Sequence, residues 1–233
     1  MLKNIIKRLR DLFHNDLPSK EDLNRIYDQF AGLIQIQNAM EGRPILRPMR
    51  GWAISPDAMN WILADLQERD APTVIEFGSG QSTIIFAAAL KRNNGRLYSV
   101  EHDPVYCDVI RTQLIACGLE TRVEFIHAPL SDGMGPPPIH SYDTSALPAI
   151  TVDLALIDGP PYMNGPLTRL TPLRWAAEHI NPRGTIFLDD SARQFEQSCL
   201  NYLTNEHPNL QRIEHRAEKG LTALHCPPGG AQS

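Results

Sequence analysis

The sequence predicts an α/β domain built on a seven-stranded, mostly parallel sheet that ends in an antiparallel hairpin, behind an N-terminal helical extension. Three observations predict it. Short apolar runs bounded by turn residues alternate with helix-period segments, which is the pattern of right-handed βαβ units. The first apolar run passes straight into a glycine loop and a helix, in the stretch TVIEFGSGQST over residues 73–83. Near the C-terminus, residues 210–215 and 221–225 are two extended runs across a short charged turn, which reads as a hairpin. With 233 residues, 42% of them hydrophobic, the chain can bury one good core. Residues 1–50 are read as the helical extension and linker, and 51–233 as the α/β domain.

Residues 2–13 place Leu2, Ile5, Ile6, Leu9, Leu12 and Phe13 on one helical face, with Lys3, Lys7, Arg8 and Arg10 mostly elsewhere. A basic amphipathic stretch over residues 1–14 suits peripheral contact with an anionic membrane; packing on its own domain or on a partner subunit is the preferred reading. Ser19 with Asp22 makes a helix start. Leu23, Ile26, Phe30, Leu33 and Met40 then follow at near-heptad spacing, which would suit a homodimer interface. Residues 41–55 form a linker with Pro44, Pro48, three arginines (Arg43, Arg47 and Arg50) and Trp52. Ser55 and Pro56 read as N-cap and first residue of a helix to about Arg69.

Strand one is followed by a helix over residues 82–91 and strand two over 97–100. A helix then opens at Asp103-Pro104 and closes at Gly118. Strand three is expected over 123–126, strand four over 152–157 and strand five over 185–188. The helix after strand five spans 192–205. Residues 131–149 form a long loop rich in Pro, Gly and Ser, more often a lid or binding loop than filler.

The glycine loop carries the first chemical signal. Gly78 and Gly80 let the backbone turn sharply and approach a ligand, and the next helix points unpaired N–H groups at the same spot. Strand two ends in Glu101, where an acid can accept hydrogen bonds from ribose hydroxyls. The third glycine of the dinucleotide fingerprint is missing: Thr83 holds that position, after Gln81 and Ser82. Glu76 also stands inside the otherwise apolar first strand.

The EFGSG run followed by Ser and Thr resembles the first motif of class I S-adenosylmethionine-dependent methyltransferases, and LYSVEHDP over residues 97–104 resembles their second. The resemblance implies a Rossmann-like sheet with a terminal antiparallel hairpin and S-adenosylmethionine as cofactor. It puts Glu76 by the methionine amino end and Glu101 on the ribose. Phe77, Gly78, Ser79, Gly80, Ser82, Thr83, His102, Ala128, Pro129 and Asp158 are the remaining expected cofactor contacts.

Strand four ends in Asp158, and strand five in Asp189 and Asp190. Strand ends line the crevice of such sheets, so the three carboxylates should converge, and they would repel unless a cation, a basic group or a proton intervened. Oxygen-only ligands suit Mg²⁺, Ca²⁺ or Mn²⁺. The trio is similar to the metal site of catechol-type and caffeoyl-coenzyme A-type O-methyltransferases, although the pair here is Asp-Asp and no lysine stands beside Asp158. The structural alternatives are a helix cap for Asp190 and an Asx-turn for Asp158 before Gly159-Pro160-Pro161. The EFGSGxST, VEHDP and IDGPP blocks together resemble a bacterial methyltransferase group, some of whose members act on sugar hydroxyls or carboxylates.

The expected reaction is therefore O-methylation of a small molecule or glycan, with Mg²⁺ as a candidate assistant. Asp158 is the first candidate base and His127 the second; Arg169 and Arg174 are secondary candidates to clamp an anionic acceptor, or else a solvated helix face. The rivals are a nicotinamide-dependent oxidoreductase and a non-catalytic cofactor-binding module. A net charge of −5 argues against broad capture of nucleic acid. Cys107, Cys117, Cys199 and Cys226 show no C-x-x-C spacing, and neither an apolar run of membrane-spanning length nor a secretory leader is visible. A cytoplasmic setting is therefore expected, with membrane association as an option.

Overall fold

A computed structural model describes residues 18–43, 48–133, 139–161 and 165–229. The basic stretch expected over residues 2–13 lies outside the described residues, as do Pro44 and Arg47 of the linker. The elements in chain order are α1 (Lys20–Ala39), α2 (Pro56–Gln67), β1 (Thr73–Phe77), α3 (Gln81–Arg92), β2 (Arg96–Glu101), α4 (Pro104–Cys117) and β3 (Val123–His127). They continue with β4 (Leu130–Asp132), β5 (His140–Tyr142), β6 (Val152–Ile157), α5 (Leu170–His179), β7 (Ile180–Asp189), α6 (Gln194–Glu206), β8 (Gln211–His215) and β9 (Leu221–His225).

Seven strands make one sheet in the order β3-β2-β1-β6-β7-β9-β8. The first five run parallel, and β9 lies antiparallel between β7 and β8. The central strands are buried on both faces, which is why they read as continuous apolar runs. Val74, Leu154, Leu156 and Phe187 face the layer that holds α2, α3 and α4. Ile75, Phe77, Ala155 and Ile157 face Leu173, Trp175 and Leu200 of α5 and α6.

Local chemistry sets most element ends. At the start of α1, Ser19 Oγ accepts from the Asp22 amide and Asp22 accepts from the Ser19 amide, each at 3.0 Å, a reciprocal capping box. Asp103 Oδ1 accepts from the Val105 amide at the start of α4, and Gly118, at φ +63°, ends it. Ser55 departs from expectation: its side chain makes no cap bond, and the nearby buried carboxylate of Asp57 accepts from Ala58 and Glu218 amides instead. The acid thereby ties α2 to the β8–β9 turn.

Two further expectations are corrected. The fifth parallel strand starts five residues earlier than the apolar run, because a register shift between Val152 and Leu154 admits Arg183 in the left-handed region at φ +67°. The loop over 131–149 is not structureless: β4 and β5 pair across it, and Thr144–Ala146 make a helical turn. On α1 the core-facing side is Gly32, Ile36 and Ala39, whereas Leu23, Ile26 and Phe30 stay exposed. A Cβ on Gly32 would come within 2.2 Å of the Pro56 carbonyl oxygen, so only glycine lets α1 approach α2 this closely. Among the described residues, no helix is long and apolar enough to cross a membrane.

Candidate active site

The strand order reverses between the parallel neighbours β1 and β6, and there the strand ends leave a crevice at the carboxyl edge of the sheet. The backbone closes it tightly. Gly78 adopts φ +103°, and a Cβ there would lie 3.1 Å from the Gly159 amide nitrogen. Gly159 has its own reason to be glycine, since a Cβ would strike the hydroxyl of Tyr142. Gly80 is different. Its backbone is extended, at φ −179°, and the atom nearest a Cβ at that position would be Ser82 Oγ at 3.9 Å. Nothing among the described residues demands glycine there; the space faces the crevice.

The resulting cleft has a volume of about 500 Å³. It is lined by the glycine loop with Glu101, His102, Tyr142 and Asp158, and by linker residues that include Arg50 and Trp52. The linker is thus part of the cleft.

Glu101 is buried at the end of β2. Its Oε2 accepts from the Ser79 amide at 3.1 Å, and its Oε1 accepts from the His102 and Asp103 amides at 2.8 and 3.0 Å. His102 Nδ1 lies 2.6 Å from Oε1, and hydrogen bonding to this carboxylate holds the imidazole above its ordinary pKa despite burial. The β2 acid therefore anchors the loop that follows β1 while lining the cleft.

Glu76 sits behind that loop and does not line the cleft. It is fully buried, and its carboxyl accepts from Ser82 Oγ at 2.7 Å, Thr83 Oγ1 at 2.5 Å and Ser99 Oγ at 2.7 Å. Burial pushes its pKa to about 7, against the three hydroxyl donors. Thr83 Oγ1 in turn accepts from the Gly80 amide at 2.9 Å. The residue standing in place of a third glycine therefore caps α3 and joins Glu76 to the loop.

The three strand-end acids do converge: one oxygen from each of Asp158, Asp189 and Asp190 falls within 4.8 Å of the others. Basic groups lie among them. Arg169 Nη2 is 3.1 Å from Asp190 Oδ2 and 3.5 Å from Asp158 Oδ1, and Lys219 Nζ is 3.3 Å from Asp189 Oδ2 and 3.2 Å from Asp190 Oδ1. Arg193 adds a contact to Asp190 at 2.8 Å, and Arg169 and Arg193 both approach Glu196. Burial, then the charge of Asp189, raises the Asp158 carboxyl well above its usual range, with Arg169 opposing. Burial also raises Asp189, opposed chiefly by Lys219. The residues do not fit a divalent ion as they stand. Each acid already faces a guanidinium or ammonium, and the two buried oxygens without a hydrogen-bond donor among the described residues, Asp189 Oδ1 and Asp190 Oδ1, are far from the six or more ligands such an ion takes.

Several sequence-derived assignments need correction on these distances. Asp190 does not cap α6; its carboxylate is spent on ion pairs, and its backbone is left-handed at φ +57°. Arg169 is not a solvated face or an acceptor clamp: it is 4% exposed, precedes α5, and donates to the carbonyls of Asp158 and Asp189 at 2.9 Å. Arg174 pairs with Glu206 on the surface. His127 is exposed at the end of β3, with Nε2 3.1 Å from the His102 carbonyl, and does not line the cleft, which leaves Asp158 as the base candidate there. Phe77, Ala128 and Pro129 also lie off the cleft wall; Ala128 donates its amide to the Glu101 carbonyl.

Two side chains were missed by the sequence reading. Tyr142 is 3% exposed, lines the cleft, and its hydroxyl has no hydrogen-bond partner among the described residues. Its only local signal was an aromatic within a loop suspected of binding. Lys219 sits in the hairpin turn, and nothing near it in the sequence linked it to acids 29 and 30 residues upstream.

Residues 75–191, half of the chain, match the family model described as a methyltransferase domain. No curated protein matches the sequence significantly. Solved structures do resemble it. Cofactor-bound Rv0187 from MTB has a TM-score of 0.61 at 21% identity, over 92% of this chain and 100% of that one. The SAH-bound Podospora anserina methyltransferase PaMTH1 has a TM-score of 0.60 at 16% identity, over 89% and 97%. The O-methyltransferase from Bacillus cereus in complex with SAH has a TM-score of 0.56 at 17% identity, over 84% and 90%. At these identities the likeness establishes the Rossmann-like fold.

Proposed function

This chain belongs to the methyltransferase-domain family, and from that premise we propose that it is an S-adenosylmethionine-dependent enzyme that methylates an oxygen of a small molecule or glycan. The observation that carries the reading is the joining of an open glycine loop, a strand-end acid and a basic carboxyl in one cleft of about 500 Å³. The residues suit the cofactor. Among the described residues no atom fills the room beside Gly80, Glu101 presents a carboxylate for ribose hydroxyls, and the Tyr142 hydroxyl, without a partner there, stands in the cleft wall. When bound, S-adenosylmethionine supplies an electrophilic methyl group on a sulfonium sulfur.

The chain's own part is positional and acid–base. Linker residues including Arg50 and Trp52 line the same cleft, and with the glycine loop they give an acceptor a surface that positions its oxygen. Asp158 is 14% exposed and lines the same cleft, and its raised pKa makes its carboxylate a stronger base for a hydroxyl proton. The Asp158 carboxylate would take the proton that the acceptor hydroxyl gives up on gaining the methyl group, while the sulfur would keep the electron pair of its broken bond to carbon and leave as a neutral thioether. The O-methyltransferase identity of the Bacillus cereus neighbour supports an oxygen acceptor.

Calorimetric titration with S-adenosylmethionine, with NADH as control, tests the reading. Saturable binding of the sulfonium cofactor alone is expected. Binding of NADH alone would point to the oxidoreductase reading instead, and a folded protein that binds neither would remove the basis for both. Asp158→Asn should keep cofactor affinity and lose turnover once an acceptor is found; unimpaired turnover would dismiss Asp158 as the base.

A further inference from the structure

The acids at the ends of β6 and β7 have the spacing of a divalent-cation site yet carry cations of their own. We infer that Lys219 is the built-in counter-ion of this cluster: its ammonium holds Asp189 and Asp190 together as a metal would, and the cluster takes no divalent ion while Lys219 is in place. The inference rests on the methyltransferase reading only for what the cluster serves.

Geometry supports it directly. Lys219 Nζ is 3.3 Å from Asp189 and 3.2 Å from Asp190, and its remaining donor reaches the Ala53 carbonyl at 3.0 Å. Arg169 covers the other side, bridging Asp158 and Asp190. A divalent ion bonded to the facing oxygens of Asp189 and Asp190 would have to displace the Lys219 ammonium, because like charges cannot share so small a buried space. Four carboxylates (Asp158, Asp189, Asp190 and Glu196) meet three cations (Arg169, Arg193 and Lys219), so the cluster is close to balanced without an added ion.

The fold also delivers Lys219 firmly. Gly220 adopts φ +79°, and a Cβ there would lie 2.5 Å from the Ala192 nitrogen, so glycine alone lets the hairpin turn press on the end of β7. Ala192 donates its amide to the Lys219 carbonyl at 3.1 Å, and Ser191 donates to the Gly220 carbonyl at 3.2 Å. On the other side, the Glu218 amide is held by Asp57 at 2.8 Å. Strapped at both ends, the turn leaves the ammonium little freedom to swing away. Its bond to Ala53 further ties the linker wall of the cleft to the cluster, so Lys219 is a positioning residue.

The test is a Mn²⁺ titration of the full chain, following the spin-resonance signal of the free ion. The wild type should show no stoichiometric site tighter than about 1 mM, weaker than built oxygen sites usually are. Lys219→Met, which keeps the stem and removes the charge, should bind one Mn²⁺ per chain at least about tenfold more tightly, and adding Asp189→Asn should abolish that site. A wild-type site that is lost on Asp189→Asn would overturn the inference, as would a folded Lys219→Met that binds no Mn²⁺. Should Lys219→Met fail to fold, the pair Lys219→Met/Asp190→Asn, which removes one charge of each sign, is expected to regain a cooperative melting transition; a pair that stays unfolded would also overturn it. Failure to bind S-adenosylmethionine would dismiss the methyl-transfer reading alone, since the manganese signal reads the cluster independently.

Discussion

Ser79 donates its backbone N–H to Glu101 Oε2 at 3.1 Å, so the acid that ends β2 is bonded to the loop that follows β1. One carboxylate thus shapes the glycine loop and faces the cleft that the loop borders. A ligand that bridges the ends of these two strands meets a surface already organised for it.

Glu101→Ala should therefore weaken S-adenosylmethionine binding on two counts, through the lost acceptor and the loosened loop. A charged hydrogen bond contributes about 2 kcal/mol, so the expected loss is roughly thirtyfold in Kd. Calorimetry on the purified variant measures it, and an affinity within twofold of wild type would rule out contact between this acid and the cofactor.

Tyr142 gives a prediction with opposite signs for stability and binding. Its hydroxyl is buried without a partner among the described residues, an arrangement that costs about 1 kcal/mol or more in the ligand-free protein. Tyr142→Phe should leave the melting temperature unchanged or raise it by a few degrees, while cofactor affinity falls by roughly tenfold. Lower stability with unchanged affinity would make Tyr142 a packing residue only.

The two loop glycines should behave differently. Gly78→Ala forces a side chain into φ +103° against the Gly159 backbone, at a cost of about 1–3 kcal/mol. Gly80→Ala meets nothing closer than 3.9 Å and should fold as well as the wild type, yet the added methyl would occupy the cleft and impair cofactor binding. Urea melts read the first effect and calorimetry the second. Intact binding in Gly80→Ala would mean that the ligand does not approach the loop there.

Glu76 makes stability depend on pH. Its folded pKa of about 7 lies above the ordinary 4.5, so the folded protein holds this proton more tightly than the unfolded chain. The stabilising contribution is complete below about pH 4.5 and is lost as pH rises through about 7. The full swing is about 3 kcal/mol. Glu76→Gln, which cannot ionise, should gain by roughly that amount relative to wild type between about pH 4.5 and pH 7.5 in urea unfolding. A constant difference between the two proteins across that range would show that Glu76 does not titrate there.

Parallel strands, crossover helices and the closing hairpin were legible because their signals are local: apolar runs of strand length, capping residues such as Ser19 and Asp103, and a helix-ending glycine at Gly118. The cofactor half of the cleft was legible for the same reason, since Gly78, Gly80 and Glu101 belong to two short segments that neighbouring parallel strands bring together. The bulge before β7 was not. Residues 180–184 carry no apolar run, and their pairing depends on how β6 happens to be registered.

Sequence alone determined the fold class, the position of the glycine loop and the convergence of Asp158, Asp189 and Asp190, because strand ends follow from local periodicity and parallel βαβ units bring those ends to one edge of the sheet. Only tertiary structure decided what surrounds those acids. Arg169, from the segment before α5, and Lys219, from a hairpin turn, reach them through contacts between distant parts of the chain, and long-range charge pairing leaves no periodic trace in sequence. The same holds for Glu76, an acid in a buried strand whose protonation is set by the hydroxyls and burial that folding places around it.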